Sequence, residues 1–335
     1  MKFSDLGEFG FINRIARHYS IQLPDILKGI GDDAAVISFS DDVVILLTAD
    51  QLIEGFHFRI DEAEGKKLGA KALAVNLSDI AAMGGYPVGY TVSLGIPSKR
   101  VSLDFLDAFY EGITSFGKRM GVELIGGDTS ESGERLFISL ALLGKASKGK
   151  VIYRSGGKDG DLLYVTGWPG DAALGLKISE QGGRRAGKEN LLARHFSPLP
   201  RIKEGQVLAE RGIPNAMIDI SDGLLADLNH IVEQSGVGAE VELSGVPLSP
   251  EFQTWAQEYV SDPLALALGG GEDYELLFSV SPEKSNQVAQ LSQELSIPLT
   301  CIGRLAREIK GIWLKDEQGR SKKAEPRGYD HFKTG

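Results

Sequence analysis

Apolar residues recur at helical spacing near the start of the chain. Phe9, Ile12, Ile15, Ala16 and Tyr19 share one face of residues 8–19, which predicts an amphipathic helix. The period then changes. Runs 34–39 and 43–48, split by Ser40-Asp41-Asp42, predict two strands of a hairpin. A long helical pattern from about Ala63 to Met83 stops at Gly84-Gly85 and Pro87. A strand (88–94), a helix (103–120), a short strand (123–125) and a further strand (136–143) follow. The polar, glycine-bearing segment 145–150 marks a boundary that divides the chain into domains 1–147 and 148–335. The second half predicts a strand at 162–166 and helices from about Asp171 and Ile202. A strand at 216–220 runs into a helix at 224–232; a strand (274–280), a helix (about 283–295) and strands near Cys301 and Ile312 complete it. Hairpins and helices mix without a regular βαβ order, so the expected fold class is α+β (α/β) in two domains. No solenoid-length repeat or low-complexity tract is present.

Composition narrows the classes. At 335 residues, two domains are the default; 42% apolar and 24% charged residues describe an ordinary globular chain. The 42 glycines imply many tight turns or close backbone approaches. A formal charge of −10 argues against a nucleic-acid partner, but not against a phosphorylated one held through cations. The single cysteine, Cys301, permits no internal disulfide and reads as a small core residue of a strand. The N-terminus lacks a secretory h-region, and the longest apolar run, 43–47, is too short to span a bilayer, so a cytoplasmic location is expected.

The candidate chemistry lies in aspartates beside glycine or small residues: Asp32, Asp33, Asp50, Asp79, Asp128, Asp219, Asp222 and Asp273. Singly, each suits a solvated turn. Asp79 does not, because Leu68, Ala72, Val75, Asp79 and Ala82 form one helical stripe that should face the core. A carboxylate pointed inward needs compensation, and a divalent cation shared with other carboxylates supplies it. Hard oxygen ligands with no HExxH-type histidine spacing suit Mg²⁺ and not Zn²⁺. Asp222 fits a helix cap; Asp219, alternating with Ile218 and Ile220 in what should be an interior strand, does not. Two near P-loops, 144–150 and 182–188, lack the following Ser or Thr, and no protein-kinase catalytic loop is present. Arg154, in Tyr153-Arg154-Ser155-Gly156-Gly157-Lys158, is the best basic candidate for a phosphate, with a surface turn as the alternative.

These segments together resemble the thiamine-monophosphate kinase family. The resemblance runs from Gly7-Glu8-Phe9 through GIGDDAAV (29–36), Asp50-x3-Glu54-Gly55-x-His57-Phe58, NLSDIAAMG (76–84) and Ile125-Gly126-Gly127-Asp128-Thr129. It continues with Tyr153-Arg154-Ser155-Gly156, DISDGL (219–224), GGEDYELLF (270–278) and Gly328-Tyr329-Asp330-His331-Phe332. The wider superfamily contains aminoimidazole-ribonucleotide and selenophosphate synthetases; the latter carry a reactive residue near the N-terminus that is missing here.

The resemblance implies two α/β domains, with the N-terminal sheets of two subunits closing into one barrel in a homodimer. It implies ATP as co-substrate, several Mg²⁺ ions, and thiamine monophosphate as acceptor. Carried over by position, Asp33, Thr48, Asp50, Asp79, Asp128, Asp219 and Asp222 would be metal ligands. Tyr110, Gly127, Asp128, Arg154 and Ser221 would meet ATP, and His57, Glu272 and Tyr329 would meet thiamine monophosphate. Ala49 stands where the family often has a hydroxyl residue, so a ligand from that position would be its backbone carbonyl. Two other readings remain open: a synthetase of the same superfamily that phosphorylates an amide or carbonyl oxygen, and a non-catalytic ATP- and Mg²⁺-binding regulator.

Overall fold

The computed structural model describes residues 7–19, 23–61, 63–182, 186–326 and 328. The first half contains α1 (Gly7–His18), β1 (Ile26–Lys28), β2 (Ala35–Ser38), β3 (Val43–Ile53), α2 (Gly65–Ala82), β4 (Tyr86–Ile96), α3 (Leu103–Met120), β5 (Glu123–Glu131) and β6 (Phe137–Ser147). Its strands form a mixed six-stranded sheet in the order β1-β2-β3-β6-β4-β5, in which only β4 and β5 run parallel. Strand alternation sends Val44, Leu46, Leu52, Leu140, Leu142, Val92 and Leu94 inward onto α2 and α3. α3 begins where Ser102 Oγ accepts the Phe105 N–H (3.2 Å) and ends at left-handed Gly121.

The second half contains β7 (Leu162–Thr166), α4 (Asp171–Gln181), α5 (Glu189–Phe196), α6 (Ile202–Glu210), β8 (Ala216–Asp219), α7 (Leu224–Ser235), β9 (Gly238–Glu242), α8 (Pro250–Tyr259), α9 (Pro263–Gly269), β10 (Leu276–Val280), α10 (Ser285–Leu295), β11 (Leu299–Ala306), β12 (Ile312–Lys315) and β13 (Ser321–Lys323). The second sheet has the order β13-β12-β9-β11-β7-β10-β8, antiparallel except for β12 on β9. Its two faces bury separate apolar clusters, one under α7 and one under α6 and α10. The fold is therefore a two-domain α/β structure with two mixed sheets. Among the described residues, no helix is long and apolar enough to cross a membrane.

α2 links the halves. Its C-terminal Ala81 and Ala82 join the apolar cluster of Leu208, Ala209 and Met217 in the second half. A Cβ on Gly205 would lie 2.1 Å from the Ala81 carbonyl oxygen, so α6 can approach α2 only with glycine there. Gly205→Ala is expected to cost about 1–3 kcal/mol by overpacking. A melting curve reads this directly, and an unchanged midpoint would show that α6 does not bear on α2.

Several expectations are corrected. β3 continues through Asp50 to Ile53, and β5 through Asp128 to Glu131, so these aspartates lie in strands and not in turns. β10 begins only at Leu276, because Glu272 and Tyr274 adopt left-handed backbone, φ 67° and 51°. Cys301 is exposed: a bulge between Cys301 and Gly303 leaves Ile302 in the inward position. β8 is an edge strand by hydrogen bonding, yet it is fully buried against α2 and the apolar clusters. α2 shows no single core-facing stripe; it is buried on nearly every side, with Ala70, Val75 and Asp79 more open than their neighbours. Asp79 thus faces a group of carboxylates and not the apolar core.

The central rows of the first sheet's outward face carry no charge, with Lys145 and Asp128 toward its margins. Leu47, Ala49, Gln51 and Ile53 of β3 lie opposite Leu143, Ala141, Ser139 and Phe137 of β6, and Thr91 and Ser93 of β4 continue the rows. Leu47 is 41% and Phe137 39% exposed, a poor surface to leave in water.

Candidate functional site

Four elements deliver carboxylates to one place. Asp33 precedes β2, Asp50 shares the inward face of β3 with Thr48, Asp79 lies near the end of α2, and Asp219 is the last residue of β8. One ligand oxygen each from Asp33, Asp79 and Asp219 falls within a group no wider than 4.8 Å. Thr48 Oγ1 donates to Asp79 Oδ2, and Ser78 Oγ, on the preceding residue of α2, donates to Asp219 Oδ2 at 2.6 Å. Asp50 lies close enough to Asp79 that its charge raises the Asp79 carboxyl further. Burial, reinforced by the other carboxylates, pushes Asp33 up to about 7, Asp50 and Asp219 up to about 6, and Asp79 well above the usual carboxylate range.

Arg154 offsets part of this charge through Nε and Nη2, 3.0 and 2.6 Å from Asp33 Oδ1. Asp33 Oδ2 and Asp50 Oδ2 stay buried with no hydrogen-bond partner. Buried acceptors are normally satisfied. A hard divalent cation, bound by oxygen ligands from several carboxylates, fits these residues and would satisfy the unpaired atoms. Asp222 lies close enough to Asp219 to raise its carboxyl further, and so stands at the edge of the group.

Asp128 is not part of the compact group. It is exposed on β5 and lines, with Tyr110 of α3, Gly126, Gly127 and Thr129, a cleft of about 500 Å³. Three of the expected nucleotide contacts, Tyr110, Gly127 and Asp128, therefore meet in one concavity. A Cβ on Gly127 would sit 1.9 Å from the Val92 carbonyl oxygen, so only glycine keeps β5 against β4 there. Pairing runs Asp50–Leu140–Val92–Gly127 straight across β3, β6, β4 and β5. Three strand spacings put the carboxylate group and the cleft roughly 14 Å apart along that row.

The DISDGL loop is held by a residue that sequence reasoning missed. Asp227 Oδ2 accepts the N–H groups of Ser221 (3.0 Å), Asp222 (3.2 Å) and Gly223 (3.0 Å). The available signal was an acid in the first turn of α7, where free N–H groups cluster. Ser221 in turn accepts the Glu272 N–H through its carbonyl oxygen at 2.7 Å.

Of the expected substrate contacts, Glu272 is clasped by Lys71 and His195, two further residues that the motifs did not reveal. A lysine inside Ala70-Lys71-Ala72-Leu73 was the only hint. Burial raises the Glu272 carboxyl, but Lys71 and then His195 outweigh it and hold it well below the usual range. Asp273 caps α4 through the N–H groups of Gly170 (2.6 Å) and Ala172 (3.1 Å), so it is committed to the fold. His57 is half-buried, and its Nδ1 accepts the Ile53 N–H at 3.0 Å. Its loop is pinned by Glu54, which meets Arg100 at 2.7 Å and the Leu136 N–H at 2.9 Å. Tyr329 lies outside the described residues.

Known proteins add an independent line. Residues 31–146 match the AIR synthase related protein N-terminal domain, and residues 158–312 the corresponding C-terminal domain. The chain is 38% identical over 334 residues to the thiamine-monophosphate kinase of Salmonella typhimurium, covering 98% of this chain and 99% of that one. It is 35% identical to the thiamine-monophosphate kinase of Bacillus subtilis, covering 98% and 100%. Its fold superimposes on a solved complex of AaThiL with AMPPCP and TMP with a TM-score of 0.85, at 34% identity and 99% coverage of both chains.

Proposed function

The chain belongs to the AIR synthase related family and, within it, to the thiamine-monophosphate kinases, and we propose that it transfers the terminal phosphoryl group of ATP to thiamine monophosphate, yielding thiamine diphosphate and ADP. The observation that carries the reading is the group of buried carboxylates with two unpaired oxygens, one member of which, Asp50, lies on the sheet that also carries the cleft of Tyr110, Gly127 and Asp128. Asp33, Thr48, Asp50, Asp79 and Asp219 would hold Mg²⁺ ions, with Asp222 at their margin and Asp128 a separate metal ligand in the cleft. Bound there, Mg²⁺ would supply neutralising charge where two sets of phosphates meet.

The rest falls to the chain's own residues. Tyr110, Gly127 and Asp128 receive the nucleotide, and Arg154 and Ser221 meet its phosphates. Arg154, now against Asp33, is placed to exchange that carboxylate for a phosphate oxygen. His57, Glu272 and Tyr329 receive thiamine monophosphate. A phosphate monoester has a second pKa of about 6, so near neutrality the acceptor is already a dianion and needs no general base. Transfer is then direct and in line between the two bound substrates, and the chain's task is to align them and exclude water.

The same reading includes a homodimer. The uncharged centre of the first sheet's outer face, with Leu47, Ala49, Ala141 and Leu143 in adjoining rows, is suited to a second copy of itself, closing the two sheets into a barrel.

Incubation with ATP and thiamine monophosphate tests the reaction. The expected products are ADP and a thiamine species heavier by one phosphoryl group, formed in equal amounts. ADP release that requires an amide or carbonyl precursor instead would favour the synthetase reading. ATP binding with no acceptor-dependent turnover would leave only the regulator.

A further inference from the structure

We propose that Lys71 and His195 are positioning residues that fix the Glu272 carboxylate in the orientation with which it meets the thiamine moiety; this rests on the reading of Glu272 as a substrate contact. Glu272 Oε1 lies 2.9 Å from Lys71 Nζ, and Oε2 lies 3.1 Å from His195 Nδ1. The Lys71 and His195 side chains are 4% and 7% exposed, whereas that of Glu272 is 25% exposed. Both partners therefore grip the carboxylate from the buried side, and its open side is left for a ligand. Two separate nitrogens, one beside each oxygen, restrain the plane of the carboxylate more than a single ion pair would.

The backbone is constrained as well. Glu272 holds φ 67°, a left-handed conformation unusual for a glutamate, and its N–H donates to Ser221 O. Tyr274, also left-handed, donates its N–H to Ile220 O at 2.8 Å. Strain kept at a partly open carboxylate marks a place where orientation matters more than local stability. Lys71 comes from α2 and His195 from α5, so the clasp spans the two halves of the molecule. Asp79 lies eight residues beyond Lys71 on the same rigid helix, about 12 Å along its axis. One helix thus sets the separation between Glu272 and the carboxylate group. Thiamine carries a cationic thiazolium ring and an exocyclic amine on its pyrimidine, and a fixed carboxylate suits either group. Left loose, the same carboxylate would have to be ordered by each arriving ligand.

Steady-state kinetics on four variants, with ATP and thiamine monophosphate varied separately, tests the assignment. Glu272→Gln should raise the KM for thiamine monophosphate. Lys71→Met and His195→Leu should each raise it by about tenfold, with kcat and the KM for ATP within about threefold of the parent. Calorimetric binding of thiamine monophosphate should weaken by the same factor. The double variant Lys71→Met/Glu272→Gln should be no worse than Glu272→Gln alone, since both act through one carboxylate. His195→Leu leaves no buried unpaired charge and carries the test if Lys71→Met does not fold. A parental KM in Glu272→Gln would overturn the substrate-contact reading and the proposal with it. A raised KM there beside parental values in Lys71→Met and His195→Leu would overturn the proposal alone. Losses spread equally over kcat and both KM values would mark a merely structural clasp and also overturn it.

Discussion

Asp79→Asn is expected to leave a folded protein with turnover reduced by about a hundredfold or more. Asp79 lies at the centre of the carboxylate group: Thr48 donates to it, the charge of Asp50 acts on it, and its oxygen lies within the 4.8 Å group with Asp33 and Asp219. Asn keeps the shape and one acceptor but loses the charge that would hold Mg²⁺, and its amide adds two donors among acidic oxygens. Without metal, one fewer buried acid should leave stability unchanged or raise it, because mutual repulsion falls. The effect should therefore separate: metal-free melting preserved, turnover lost, and only partial rescue by excess Mg²⁺. Near-normal turnover with a large fall in melting temperature would instead make Asp79 a structural residue.

The sequence reading succeeded where one segment carried its own signal. The helices expected at 103–120 and 224–232, and the strands expected at 162–166 and 216–220, have clear periods and flanking caps or glycines; the structure has them at 103–120, 224–235, 162–166 and 216–219. The reading shortened β3 and β5 because Asp50 and the Gly126-Gly127-Asp128 run look like turn chemistry. Strand pairing on both sides of β3, and with β4 for β5, overrides that local preference. α5, α8, α9 and β9 went unrecognised because each is short.

The candidate site was legible as a set of aspartates, but not as a geometry. Nothing in NLSDIAAMG reveals that Ser78 reaches Asp219, 141 residues away, or that Arg154 covers Asp33. Lys71, His195 and Asp227 are invisible for the same reason: their significance lies in partners distant in sequence, or in a loop whose backbone conformation is not written in any motif. Burial alone also misled, since Asp79 sits on a helix enclosed almost all round and yet opens toward the site.

Ala141→Arg is expected to break self-association while sparing the fold of the single chain. Ala141 sits mid-strand in β6, between Ala49 of β3 and Thr91 of β4, on the face turned away from α2 and α3. A longer side chain there meets no core of its own subunit and can extend into water, so the isolated chain should keep its melting behaviour. Across a two-fold interface the substitution enters twice and sets two unpaired guanidinium groups against an uncharged surface. Leaving such a charge desolvated costs about 2–5 kcal/mol, which weakens the dimer by roughly thirtyfold at the least. Sedimentation over a concentration series should show dimer for the parent and monomer for the variant. If the active arrangement needs the second subunit, turnover should fall with the dimer fraction and recover as concentration rises. A parent that sediments as a monomer with full turnover would remove the second subunit from the account of the site.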